Sequence, residues 1–165
     1  HLRKSGYRSY NTTTCGMHVH ISKKAFSTWM LYKGLRFFCD NGDFILKLSG
    51  RRPETLRKWA ALDDNKEGLV YKAKDKWNEH RYSAINLTNK DTVEIRIFRG
   101  TLNPTKFWAN IEFLEALFAW LEPISAKQAS TLTWINLKTY VLENATKYPN
   151  LTDWFYSHNA ETTND

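Results

Sequence analysis

Residues 15–22 and 92–99 alternate between apolar and polar side chains, apart from Phe98, and this pattern constrains the fold more than any other feature of the sequence. Side chains of a β-strand point alternately to opposite faces, so a period of two predicts a strand with one buried face. The first strand buries Met17, Val19 and Ile21 and places His18 and His20 on the other face. The second strand buries Val93, Ile95 and Ile97 and places Thr92, Glu94, Arg96 and Phe98 on the other face.

Helical periodicity dominates the remaining chain. The predicted helices cover residues 24–38, 44–48, 104–121 and 133–145, and a third strand is predicted over 81–87. Residues 51–79 are predicted to form a surface segment with a helical turn near 55–61, and residues 151–156 are predicted to form a short packed turn. The predicted fold class is therefore α+β, with a mostly antiparallel sheet that is polar on one face and covered by helices on the other. We expect one domain over residues 1–156 and a flexible tail over 157–165.

The chain of 165 residues has a formal net charge of +7, which suits an anionic partner such as a nucleotide or a nucleic acid. The densest basic run lies within residues 51–58, where a solvated face is the alternative to a nucleic-acid patch. Two cysteines do not make a disulfide framework in a chain of this length. No apolar run approaches a membrane span and no signal-peptide pattern occurs, so we expect a cytoplasmic protein that does not interact with membranes.

Two histidines at alternate positions of a strand, with a carboxylate from another strand, are plausible ligands of a divalent metal. Arg96 would suit a phosphate or carboxylate, because its planar fork pairs with such anions. Two structural alternatives stay open: the histidines carry no chemistry, or Glu94 and Arg96 form a surface ion pair. A zinc site of Cys15, His18 and His20 is a further alternative, although on a regular strand Cys15 would face away from both histidines.

The segment Gly16-Met17-His18-Val19-His20-Ile21-Ser22 resembles the G-M-H-x-H-x-S strand of glutamine synthetases. Residues 92–96, followed by Asn103-Pro104, resemble the R-x-E-x-R strand of that superfamily and the Asn-Pro that opens its next helix. The pattern RYSAINL…TVEIRIFRGTLN is still more similar to the amidoligase family, a bacterial and phage branch of the glutamine-synthetase-like carboxylate–amine ligases. The resemblance covers roughly residues 14–121.

The resemblance implies a fold of glutamine-synthetase type and ATP-dependent amide-bond formation, in which a phosphoryl group passes to a carboxylate and an amine attacks the acyl phosphate. The implied cofactors are ATP and Mg²⁺ or Mn²⁺, and the implied partners are a nucleotide and a carboxylate-bearing small molecule or peptide. The resemblance assigns His18 and Glu94 to the metal, His20, Arg99 and Asn86 to the ATP phosphates, and Arg96 and Arg81 to catalysis.

The chain departs from the family pattern upstream of the first strand. The family places further metal-binding carboxylates there as an E-x-E pair, whereas none of the seventeen residues before His18 is Asp or Glu. Three explanations stay open: a fragment of a longer ligase, a half-site that a partner protein completes, or a catalytically degenerate relative. The last would be a binding protein, such as a phage-type inhibitor or a module for protein or nucleic acid. It would use a basic patch of Arg51, Arg52, Arg57, Lys58 and Trp59.

Overall fold

The computed structural model describes residues 2, 4–9, 12, 15–125, 128 and 132–158, which form an α+β fold. The strands are β1 (Gly16–Ser22), β2 (Ile85–Asn86) and β3 (Thr92–Arg99). The helices are α1 (Thr28–Asp40), α2 (Gly42–Ser49), α3 (Pro53–Trp59), α4 (Leu69–Asp75), α5 (Pro104–Leu121), α6 (Trp134–Glu143) and α7 (Pro149–His158). The described strands form one antiparallel sheet in the order β1-β3-β2. None of the described helices combines the length and the apolar character that a membrane crossing requires.

The pairing of β1 with β3 slips by one residue, and this slip changes the face of one predicted side chain. Met17 lies opposite Phe98, whereas Val19 lies opposite Ile95, so β3 has one more residue than β1 in this interval. Beyond the slip, Phe98 packs edge-on against Phe113 of α5 at 6.3 Å between ring centroids. The prediction that Phe98 shares the polar face of Glu94 is therefore wrong, because an extra residue in one strand reverses the alternation.

The predicted strand over 81–87 shortens to Ile85–Asn86, which pair with Ile95 and Glu94 of β3. On the other side of β2, the Asn78 side chain takes the place of a neighbouring strand. Its amide nitrogen donates to the Ile85 carbonyl at 3.1 Å, and its oxygen accepts from the Leu87 amide at 3.0 Å. Asn78 thereby satisfies backbone groups that would otherwise be left unpaired at this buried edge.

The helix α5 spans the predicted residues, and it contributes Phe113, Leu114, Ala116, Leu117 and Leu121 to the core. Pro104 occupies its first turn, and the Asn103 side chain accepts from the Lys106 amide at 3.3 Å, which caps the helix. At the other end, the buried ammonium of Lys33 donates to the carbonyls of Leu121, Glu122 and Ile124. A lysine at this position satisfies carbonyls that the end of a helix leaves without a partner.

Several predicted boundaries are wrong for local reasons. Ser22 caps only a short 3-10 turn (Lys23–Ala25), and α1 begins at Thr28 because the Ser27 side chain accepts from the Met30 amide. Residues 51–79 contain two helices, α3 and α4, rather than one helical turn. Residues 151–156 belong to α7, which Pro149 begins. Residues 157–158 of the predicted tail lie in that helix, and residues 159–165 lie outside the described residues.

Candidate functional site

Glu94 is a buried carboxylate that four polar side chains surround. Its Oε1 accepts from Arg96 Nη1 at 2.7 Å and lies 2.8 Å from His18 Nδ1. Its Oε2 accepts from the amides of Asn86 at 2.7 Å and Asn89 at 3.2 Å. Glu94 and Arg96 are only 5% and 6% exposed, so the surface ion pair considered above is wrong. We refer to this group as the Glu94 cluster (His18, His20, Asn86, Asn89, Glu94 and Arg96).

Strand register explains how the sequence assembles this cluster. His20 lies opposite Glu94 on β1, and Asn86 lies opposite Glu94 on β2, so both neighbours of β3 contribute at the same level. Arg96 is fixed on two further sides, because its Nε donates to the Trp59 carbonyl at 3.3 Å and its guanidinium lies 5.5 Å from the Tyr82 ring. The cluster is therefore a rigid part of the sheet face rather than a set of free surface side chains.

The protonation states of the cluster follow from burial and from its charges. Burial alone would raise the pKa of Glu94, but the hydrogen bonds of two asparagines and the charge of Arg96 lower it overall. Burial and the nearby Arg96 lower the pKa of His18, although Glu94 opposes that change. His18 is therefore mostly neutral at neutral pH, and its Nδ1 lies 2.8 Å from Glu94 Oε1. His20 is more exposed, with Nε2 at 3.7 Å from Glu94 Oε1 and Nδ1 at 3.0 Å from the Thr92 hydroxyl.

The cluster does not fit a magnesium or manganese ion through its own donors. Glu94 already accepts three hydrogen bonds, one at Oε1 and two at Oε2, and its Oε1 also lies 2.8 Å from His18 Nδ1. Mg²⁺ prefers several oxygen ligands in octahedral geometry, and the positive charge of Arg96 opposes a second cation here. Within the described part of the chain, no three His, Cys, Asp or Glu side chains are placed to hold a metal. Cys15, His18 and His20, the alternative zinc ligands, are therefore not placed to hold one ion together.

Arg51 secures the strand slip from the side of α3. Its Nε donates to the Ile97 carbonyl at 2.8 Å, and its Nη2 donates to the carbonyls of Phe98 at 2.9 Å and Arg96 at 3.3 Å. A Cβ atom on Gly16 would lie 2.5 Å from this Nη2, so only glycine leaves room for the guanidinium beside β1. Arg51 thereby satisfies carbonyls at the slip, where regular pairing is interrupted.

Next to this face lies an open cleft of about 630 Å³ that we call the basic cleft. Among the described residues, its charged lining consists of the four cations Arg51, Arg52, Lys58 and Arg99 and the single carboxylate Glu54, and the indole of Trp59 forms part of its wall. Burial, together with the charges of Arg96 and Arg99, lowers the pKa of Arg51. The cleft concentrates positive charge beside the Glu94 cluster, as a site for an anion would.

The structure brings most of the predicted site residues together. Five of them lie in the Glu94 cluster, namely His18, His20, Asn86, Glu94 and Arg96, and Arg99 lines the basic cleft. Asn86 is 2% exposed and bonded to Glu94 rather than open to a ligand. Arg81 is exposed and lies 5.4 Å from the Tyr82 ring, the same ring that Arg96 contacts.

Sequence reasoning missed two residues of this region. Asn89 lies between the predicted strands 81–87 and 92–99, and nothing in the neighbouring sequence indicates that its amide reaches Glu94. Arg51 was counted with a basic surface patch, although its position directly after the left-handed Gly50, at φ 66°, places it in a sharp change of chain direction. Such a turn can send the next side chain back toward the sheet.

No protein-family model, no curated protein and no solved structure matches this chain. The resemblance to the amidoligase family therefore stays a prediction, and the function is argued from the geometry alone.

Proposed function

We propose that this chain binds a nucleotide, with the phosphates in the basic cleft and the base at its aromatic wall. The observation that carries the proposal is the lining of the cleft, in which four cations face a single carboxylate within about 630 Å³. Cations that crowd together repel one another, and a bound polyphosphate relieves that repulsion. ATP, the nucleotide that the sequence resemblance implies, is the ligand to test first.

The cations of the cleft differ in what they offer a ligand. Arg51 is held by three carbonyls through Nε and Nη2, which leaves the donors of Nη1 for a phosphate oxygen. Arg52 and Lys58 are exposed, so they move into place as the ligand binds. A preorganised arginine beside two mobile cations suits a charged chain of phosphates better than a single rigid anion.

Trp59 supplies the contact that distinguishes a nucleotide from a bare polyphosphate. Its ring packs edge-on against Tyr82 at 5.4 Å, and the Lys58 ammonium lies 4.9 Å from the ring centroid. Base stacking on an aromatic side chain is worth about 1–3 kcal/mol. The proposal therefore assigns the base to Trp59 and the phosphates to the cations.

Isothermal titration with ATP, without added metal and at low salt, tests this assignment. Lys58→Ala and Arg52→Ala should each weaken ATP about tenfold, since a hydrogen bond to a charged group is worth about 1.5–3 kcal/mol. Lys74→Ala removes an equally exposed lysine outside the cleft lining and should change nothing. Equal losses in all three variants would reduce the effect to net charge, and the proposal of a defined cleft would fail.

Two further ligands separate the possible sources of phosphate. Inorganic triphosphate should bind in the same cleft, and Trp59→Leu should weaken ATP but not triphosphate. If a single-stranded oligonucleotide binds far more tightly than ATP at the same phosphate concentration, the cleft serves a nucleic acid instead, as the net charge of +7 would also suit. If none of the three ligands binds, the basic cleft is not a phosphate site.

ATP-dependent carboxylate–amine ligation is the second candidate, because His18, His20 and Arg96 converge on Glu94 beside the cleft. Phosphoryl transfer needs positioning and neutralisation of charge, which arginines supply in part. The divalent cation of such a reaction would need oxygen ligands beyond the hydrogen-bonded Glu94. ADP release from ATP with Mg²⁺ or Mn²⁺, a carboxylate and an amine, lost in Arg96→Lys, would support this activity. Tight ATP binding without amine-dependent ADP release would leave the chain a binding protein.

A further inference from the structure

A second cavity, of about 350 Å³, lies between α4 and the turn that follows it, and it shares no lining residue with the basic cleft. Two aromatic rings, of Tyr71 and Trp77, and two carboxylates, of Asp75 and Glu79, are prominent in its lining. Carboxylates thus lie beside the aromatic rings here, whereas cations lie beside Trp59 in the basic cleft, although the net charge of the chain is +7.

The aromatic rings at this cavity are unusually open. Tyr71 is 68% exposed and Trp77 is 53% exposed. Neither ring stacks on another ring in the described part of the chain, whereas the equally exposed Trp108 rests edge-on against Phe107 at 5.4 Å. An aromatic face carries partial negative charge and attracts cations. Two exposed aromatic rings that line one cavity therefore offer surface for a cation.

The charged side chains of the lining also favour a cation. The Lys72 ammonium, which also lines the cavity, is ion-paired with Asp63 and is thereby neutralised. Asp75 forms no ion pair with any described residue, and the Glu79 carboxylate lies 3.9 Å from His80. The carboxylates, unlike the lysine, thus remain without a strong partner, and the cavity favours a positive guest.

The wall that presents Trp77 is anchored rather than loose. Lys76 adopts the left-handed conformation with φ 49°, which ends α4 and turns the chain outward. Its ammonium donates to the carbonyls of Phe26 at 2.6 Å and Lys23 at 3.0 Å, which fixes the turn against the start of α1. Directly after Trp77, the buried Asn78 is bonded to both ends of β2. A ligand would therefore meet a largely preformed wall.

We propose that this cavity binds an organic cation, an alkylammonium or guanidinium group, between the rings of Tyr71 and Trp77 with Asp75 and Glu79 as counter-charges. The cation is either a free small molecule or the side chain of a peptide, since the recognised group is the same. The proposal is independent of nucleotide binding, because the two cavities have separate linings and opposite charge.

Choline and its uncharged isostere 3,3-dimethyl-1-butanol are the probes, and a peptide with trimethyl-lysine tests the second source. The indole N–H signal of Trp77 in ¹H–¹⁵N spectra reports binding, and it should move with choline and not with the isostere. Asp75→Asn, followed by the same signal, and Trp77→Ala, followed by isothermal titration, should each weaken choline at least about fivefold. Trp108→Ala, which removes a tryptophan of equal exposure, should leave choline binding unchanged.

Each outcome decides the proposal. Peptide binding much tighter than choline would assign the cavity to a protein partner, and equal affinities would assign it to small cations. Equal shifts with the uncharged isostere would mean a merely apolar pocket and would overturn the proposal. An unmoved Trp77 signal at about 20 mM choline would also overturn it, because even a weak site with a Kd near 1 mM would be saturated. ATP should not move this signal, whichever result the basic cleft gives.

Discussion

Substitution of Glu94 by Gln tests whether the cluster is held together by a buried charge. Glutamine keeps the shape of the side chain but offers one oxygen and one NH₂ group, whereas Arg96, Asn86 and Asn89 all donate hydrogen bonds to Glu94. At least one of these donors would face the NH₂ group, whichever way the amide turns. Arg96, at 6% exposure, would also lose its counter-charge.

The expected cost is large because the pair is buried. Removal of one partner of a buried ion pair costs about 3–5 kcal/mol, since the other charge is left uncompensated. For a chain of this length, that corresponds to a fall in Tm of roughly 6–20 °C. Urea unfolding at neutral pH, followed by circular dichroism and tryptophan fluorescence, measures the change in the free energy of unfolding.

Two further variants make the test specific. Glu115→Gln makes the same substitution in the exposed pair with Lys147, whose atoms lie 3.0 Å apart, and should leave stability unchanged. The double variant Glu94→Leu with Arg96→Met removes both charges and should be clearly more stable than Glu94→Gln alone. A loss below about 1 kcal/mol for Glu94→Gln would refute the reasoning, because it would equal that of a surface pair.

Three other outcomes follow from particular contacts. Folding lowers the pKa values of both His18 and Glu94, so the unfolded chain binds more protons than the folded chain. Stability should therefore fall as the pH drops below about 6.5 and again below about 4.3. Urea midpoints that rise with acidification would contradict this. Lys33→Met should cost about 1–3 kcal/mol in urea unfolding, because it leaves helix-end carbonyls without their donor, and unchanged stability would show that water replaces it. Gly16→Ala should displace Arg51 and thereby lower both the stability of the fold and its affinity for ATP. Urea unfolding and ATP titration of the same sample measure the two effects. Full retention of both would mean that Arg51 is not needed at the strand slip.

The elements with strict periodicity were predictable from the sequence, and so was most of the cluster they carry. The apolar residues of β1, β3 and α5 recur at one period in the sequence, except at Phe98, which lies beyond the strand slip. That regularity also placed His18, His20, Glu94 and Arg96 on polar faces. The register that brings these four residues together depends on the strand slip, which no local sequence pattern predicts.

The elements that were missed depend on contacts distant in sequence or on ambiguous residues. The short α4 has no side-chain cap, and its identified core residues are Leu69 and Ala73, so its periodic signal is weak. Pro149 fits the end of one helix as well as the first turn of the next. The third strand is short because Asn78, outside it, bonds to its backbone, and Ser83 forms a separate bridge with Ala61. None of these contacts leaves a pattern within its own segment.

A titration of the ¹⁵N-labelled protein with ATP, without metal, tests the central claim most directly. The account predicts that signals of Arg51, Arg52 and Lys58 and the indole N–H of Trp59 move together and saturate, because these groups line one cleft. Signals of Tyr71 and Trp77, at the other cavity, should stay in place. Shifts confined to residues outside the basic cleft, or no saturable shift at all, would contradict nucleotide binding at this site.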